Sequence, residues 1–191
     1  MESVLAVKTA LLRPFLRERG LITDNLDAAL ELIAERHDFL PRPIAEGNPD
    51  YKQVIPYVAL VDGEKVFATR RLPESGETRL HGLISLGVGG HIAQTDGAGR
   101  QALLNGMRRE LREEVSIEEE GTPRFAGLIN DDGTEVGKVH LGLFCVLPVR
   151  GRVRVRETGK LEGFWLRRAE LRGRESEMES WSGIVLDALG A

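Results

Sequence analysis

The spacing of apolar side chains along the chain divides it into short periodic segments separated by glycine and proline. Leu5, Leu12 and Leu16 recur at helical spacing, which predicts a helix over Glu2 to Glu18 closed by Gly20. Thr23 and Asp24 stand where a helix cap is needed, ahead of Leu26, Leu30 and Ile33, and predict a second helix through Arg36. Pro41, Pro43, Gly47 and Pro49 then predict a loop and the one internal boundary. Beyond Tyr51 the pattern changes to strands. Val54 to Val61 and Lys65 to Arg70 read as a hairpin turned at Asp62-Gly63, and Leu83 to Val88 as a strand running into Gly87, Gly89 and Gly90. Phe125 to Ile129, His140 to Val149 and Gly163 to Leu166 are further strands. Gln101 to Val115 and Glu175 to Leu189 have helical spacing. Strands interrupted by one central helix predict a mixed α/β sandwich, residues 51–191, preceded by an N-terminal helical extension, residues 1–50.

Composition narrows this picture without redirecting it. The chain has 191 residues, 41% hydrophobic and 29% charged, enough for one globular domain with an added segment. A net charge of −4 gives no reason to expect a nucleic-acid polymer as partner. No apolar run approaches the roughly 20 residues that span a bilayer, and Lys8 and Arg13 interrupt the first apolar stretch, so a cytoplasmic protein is expected. The single cysteine, Cys145, sits in an apolar run and reads as a buried thiol.

The central helix carries the candidate chemistry in Arg109-Glu110-Leu111-Arg112-Glu113-Glu114-Val115. At about 100° per residue the three carboxylates Glu110, Glu113 and Glu114 share an arc of roughly 100°. Leu104, Met107, Leu111 and Val115 form a separate stripe for the core. Converging carboxylates repel one another, and a hard divalent cation removes that cost, which suits Mg²⁺ or Mn²⁺. Gly106 lies on the carboxylate side and weakens the helix by about 1 kcal/mol relative to alanine, as a position of close approach would require. An acidic helix face is also what a solvated surface looks like, with Arg109 and Glu113 as an ordinary pair one turn apart.

The Arg-Glu-apolar-x-Glu-Glu core, placed after the strand end Gly89-Gly90-His91, resembles the box of the Nudix hydrolases. Ile117 matches the closing apolar position, Val54 to Arg70 the opening hairpin, and Glu162-Gly163-Phe164-Trp165-Leu166 the late strand. Arg79-Leu80-His81, with Ser85 to Ile92, is similar to a branch of MutT-type phosphoesterases. The resemblance implies a Nudix-like α/β/α sandwich with a mixed sheet, and hydrolysis of a diphosphate linkage by water attack at phosphorus. It implies Glu110, Glu113 and Glu114 as metal ligands, with Glu157 as a further ligand or base and Glu162 as its runner-up. Arg109 would orient Glu113 or a loop carbonyl. Gly89, Gly90, His91, Arg70 and Arg79 would contact substrate, with Arg71 as a further candidate. His140 reads as structural, and Trp165 and Trp181 as core or dimer packing. A small-molecule diphosphate is the implied partner, with a homodimer open.

Departures from the box are visible too. The family pattern runs Gly, five residues, Glu, seven residues, Arg-Glu; counting back from Arg109 puts Gln101 at that Glu and implies a loop insertion of about five residues. Ser116 stands where a glycine normally ends the helix. These keep open a catalytically weak domain acting as a ligand sensor or interaction module. Isomerisation of an isoprenoid diphosphate would need a reactive cysteine in the site, and Cys145 sits in a core strand.

Overall fold

A computed structural model describes residues 2–73, 82–156 and 158–191. The chain is mixed α/β and divides into two units. The first comprises Met1–Tyr57, Gly89–Glu110 and Ala126–Phe144, and the second Val58–Val88, Leu111–Phe125 and Cys145–Ala191.

In the first unit, β1 (Ser3–Lys8) pairs antiparallel with β3 (His37–Pro41) and with the start of β4 (Tyr51–Asp62). This corrects the helix expected over Glu2 to Glu18. Val4, Leu5, Ala6 and Val7 are all fully buried, so the segment is covered on both faces. A short run buried on both faces reads the same in sequence whether it is helix or strand. Only α1 (Thr9–Leu12) is helical there. The second expected helix forms as α2 (Leu26–Arg36), after Asn25 at φ 53°. Between them, β2 (Arg19–Ile22) pairs with β8 (Arg124–Asp131). The proline-rich stretch holds a short helix, α3 (Arg42–Ala45), after β3.

In the second unit, β4 and β5 (Lys65–Arg71) form the expected hairpin, with Asp62 opposite Lys65. The turn residues are therefore Gly63 and Glu64, and Gly63 supplies the positive φ of 56°. Strand β5 also pairs with β6 (Ile84–Ser85) and with β10 (Leu161–Arg167). Helix α4 (Gly99–Glu114) passes directly into β7 (Val115–Glu120), a strand that the apolar pattern does not predict. β7 pairs with the far end of β9 (His140–Val155), through a register shift between Ile117 and Glu119. Helix α5 (Glu135–Lys138) precedes β9 in the first unit.

The single C-terminal helix expected over Glu175 to Leu189 is broken instead. After α6 (Arg168–Leu171) come a 3₁₀ turn at Arg172–Glu177, α7 (Ser180–Ile184) and a second 3₁₀ turn at Asp187–Leu189. The break lies at Met178 and Glu179, which are extended because the Glu179 N–H donates to Ile84 O at 3.1 Å. Ser182 Oγ then accepts from Leu86 N at 2.9 Å. Trp165 packs edge-on against Phe67, as a core aromatic does. No helix among the described residues is long and apolar enough to cross a membrane.

Candidate active site

Helix α4 buries Leu103, Met107 and Leu111, a stripe with one residue every four that Val115, the first residue of β7, continues. Leu103, rather than the expected Leu104, heads that stripe. With this face turned to the core, Arg109 and Glu110 are half-buried and Glu113 is exposed. Glu114 is half-buried, and its carbonyl accepts from the backbone N–H of Arg156 at 2.8 Å. Arg156 Nε also donates to the Val115 carbonyl at 3.2 Å. Those bonds take up helix-end carbonyls where no glycine cap follows, which is how Ser116 is accommodated.

The glycine pair is required by what surrounds it. A Cβ on Gly89 would lie 1.7 Å from the Pro56 carbonyl oxygen of β4. A Cβ on Gly90 would lie 2.4 Å from Oε2 of Glu110. The strand expected over Leu83 to Val88 is reduced to β6 and an isolated bridge at Val88, and the Gly89-Gly90 pair that follows it is in direct contact with the first acid of the helix. Gly106 has a related role: its Cβ would meet Ile92 at 2.9 Å and Oδ2 of Asp96 at 3.1 Å.

Arg109 binds Glu110 together with the loop before the helix. Its Nη1 donates to Glu110 Oε1 at 2.7 Å and its Nη2 to the His91 carbonyl at 2.7 Å. Its Nε and Nη2 grip Asp96 at 2.9 Å each, a bidentate pair. The loop carbonyl expected as a partner of Arg109 is therefore His91 O. The Asp96 bonds raise the guanidinium pKa above its ordinary value, with Glu110 adding to the effect. Asp96 is only 6% exposed. Burial pushes its carboxyl up, but the bonds from Arg109 and from the Ala93 N–H outweigh this and hold it below the usual range.

Asp96 is the residue that sequence counting missed. Gln101 lies in the first turn of α4, is exposed, and donates to Asn105 Oδ1 at 2.8 Å. It is nine residues before Glu110, about 13 Å along the helix axis. The acid that holds Arg109 is instead the sixth residue after Gly90, which keeps the spacing of Gly, five residues and acid. The inserted residues fall after that acid, in the twelve from Gly97 to Arg108. Counting forward from Gly90, rather than back from Arg109, was the available signal. Asn105 Nδ2 donates to the Asp96 carbonyl at 2.9 Å and ties the displaced loop to the helix.

The remaining candidates separate by position. His91 is half-buried; its Nε2 pairs with Gln53 Oε1 at 3.0 Å and its ring lies edge-on to His140 at 5.8 Å. Burial, with the positive charge of Arg42 and the His140 ring, lowers its pKa to about 4, so the ring is neutral at pH 7. Burial also lowers the His140 pKa; its Nδ1 pairs with the Val136 carbonyl at 2.7 Å. Arg70 donates to Glu177 at 3.3 Å and lies 5.5 Å from the Phe164 ring centroid, so its guanidinium is engaged within the second unit. Glu162 lies opposite Arg70 in the β10–β5 register, on a shallow groove of about 640 Å³ walled by Leu72, Val153, Val155 and Leu161. Arg79 and Glu157 lie outside the described residues. Cys145 is buried, and burial pushes its thiol up to about 12, which removes it as a nucleophile.

No protein-family model matches the chain. A curated relative, protein YmaB of Bacillus subtilis (strain 168), is 40% identical over 153 residues, covering 76% of this chain and 74% of that protein. The crystal structure of Tm1382, provisionally assigned as a Nudix hydrolase, superposes with a TM-score of 0.86 at 35% identity, over 98% of this chain and 97% of that one. A shared fold over nearly the whole length, with a Gly-Gly pair packed on the first acid of the Arg-Glu-x-x-Glu-Glu helix, places this chain in the Nudix hydrolase superfamily.

Proposed function

We propose that the chain is a Mg²⁺-dependent hydrolase that cleaves a diphosphate linkage, in a nucleoside diphosphate joined to another group or a related compound, by attack of water at phosphorus. The observation that supports this best is the packing of Gly90 on the Glu110 carboxylate, whose Oε1 accepts from Arg109, itself held by Asp96. The donor set fits a hard divalent cation in kind: Glu110, Glu113 and Glu114 are oxygen donors on successive turns of one helix. When bound, the ion neutralises phosphate oxygens and makes a water molecule more acidic. Glu110, Glu113 and Glu114 would hold it, and one of these acids would orient or deprotonate the water. Asp96 and Arg109 act before any substrate arrives, by keeping Glu110 aimed at the glycine loop. The bare backbone at Gly90 lets the chain pack directly against that carboxylate, which a side chain there would displace.

One observation favours a second reading, a catalytically weak domain that senses a ligand. Among the described residues no three histidine, cysteine, aspartate or glutamate side chains are gathered closely enough to hold a metal ion. A screen of nucleoside-diphosphate-linked compounds and other diphosphates with Mg²⁺ or Mn²⁺ separates the two. Inorganic phosphate is read with and without a coupling phosphatase. The hydrolase reading expects release that needs the added ion, stops with a chelator and rises from pH 6 toward alkaline pH. Glu110→Gln should lower it by at least about a hundredfold. Equal turnover in excess chelator would overturn the metal-dependent reading, and no turnover on any member of the panel would favour the sensor.

A further inference from the structure

We infer that Gln53 is a positioning residue for the Glu110 carboxylate, acting through His91 and Arg109. The inference deepens the hydrolase reading above and rests on it. Gln53 lies on β4 and is completely buried. Its Oε1 accepts from His91 Nε2 at 3.0 Å. The carbonyl of that same His91 accepts from Arg109 Nη2 at 2.7 Å, and Arg109 Nη1 donates to Glu110 Oε1 at 2.7 Å. Three hydrogen bonds therefore lead from a buried core amide to the first acid of the helix. The residue before His91 is Gly90, whose Cα hydrogen faces the same carboxylate, so a rotation of the His91 peptide would be felt at Glu110 from both sides.

The choice of glutamine is what marks the residue. Its Nε2 is buried without a hydrogen-bond partner among the described residues. A buried unpaired donor costs stability that methionine, of similar length, would avoid. A core position that keeps such a donor is using the other end of the amide. The oxygen selects the Nε2–H form of a neutral His91 ring, and the edge-on contact with His140 at 5.8 Å holds the ring plane. A purely structural glutamine and a positioning glutamine then differ in a measurable way. Loss of either changes stability, but only loss of the second lowers kcat and frees the His91 tautomer.

The test uses the full-length protein, Mg²⁺ and the diphosphate turned over best in the screen. Gln53→Met removes an unpaired donor but leaves the His91 Nε2–H without its acceptor, so it should stay folded with a melting temperature near the parent's, and lose kcat by about tenfold or more, with KM within about twofold. Gln53→Glu keeps the acceptor and should restore kcat to within about threefold of the parent. In the parent, ¹⁵N spectra of the imidazole should show the proton of His91 on Nε2, and in Gln53→Met a mixture of the two neutral forms. A folded Gln53→Met with kcat within about twofold of the parent overturns the inference, and so does a parent His91 protonated on Nδ1, which needs no variant to fold. If Glu110→Gln leaves turnover intact, the hydrolase reading itself has failed; if Glu110→Gln abolishes turnover and Gln53→Met does not, only the Gln53 inference has failed.

Discussion

At Arg109 one guanidinium meets two carboxylates and a carbonyl, and each contact removes a different freedom. Asp96 fixes its plane, His91 O its reach, and Glu110 is what it then orients. Asp96→Asn keeps the shape and removes the charge. Charge-assisted bonds of this kind contribute about 1.5–3 kcal/mol, so the variant should lose about 2 kcal/mol. For a chain of 191 residues that is a fall in Tm of roughly 4–8 °C. The pH dependence follows from the lowered Asp96 pKa. A carboxyl more acidic when folded than when unfolded stabilises above the unfolded pKa, about 4, and that contribution disappears as pH falls through the folded value. The stability gap between parent and Asp96→Asn should therefore be full at pH 5 to 7 and close below about pH 4. Urea titrations across that range measure it, and a gap constant down to pH 3 would contradict the ion pair.

At the scale of the element, α4 is a compromise between helix propensity and what it must pack against. Gly106→Ala illustrates the balance. Alanine should add about 1 kcal/mol of intrinsic helix stability. Against this, its Cβ would sit 2.9 Å from Ile92, a side chain with no exposed surface and little room to retreat. Overpacking a rigid site costs about 1–3 kcal/mol, so the net change should be destabilising by up to about 2 kcal/mol. A rise in Tm would show that Ile92 and the Asp96 loop give way. Gln101→Glu is the complementary case. It would place a carboxylate at the position that backward counting assigns to a ligand, yet Gln101 stands an exposed nine residues before Glu110. Mn²⁺ titration of Gln101→Glu should match the parent, whereas tighter binding would bring the start of the helix back into the site. Element by element, the sequence made α4 legible because its pattern is long, amphipathic and local. It made β1 illegible because four successive buried residues carry no period at all.

At the scale of the whole molecule, a buried tether lies away from the acids. Lys52 is fully buried in β4, and its Nζ donates to Asp132 at 2.7 Å and to the carbonyls of Gly137, Lys138 and His140 at 2.8 to 3.3 Å. One ammonium thereby holds the chain from 132 to 140 against β4, including the approach to His140. Lys52→Met keeps the stem but leaves the carbonyls of Gly137, Lys138 and His140 without their donor, while the partly exposed Asp132 turns to solvent, so it should cost about 3 kcal/mol. The denaturation midpoint measures this, and an unchanged midpoint would mean that water replaces the ammonium. Nothing in the sequence around Lys52 sets it apart from the lysines at 8, 65, 138 and 160, and the same holds for Gln53 beside it. What local pattern can state was legible: the acids on α4, the glycine pair before it, the β4–β5 hairpin and the late strand β10. Local periodicity states which face of an element is buried. Tertiary structure decided what that face is buried against: β1 as a strand between two others, the C-terminal helix broken at Met178 to reach Ile84, Asp96 rather than Gln101 on Arg109, and Gln53 on His91. Each of these joins residues 13 or more positions apart, and a pairing over that distance follows from packing and hydrogen-bond satisfaction in three dimensions, which no local pattern encodes.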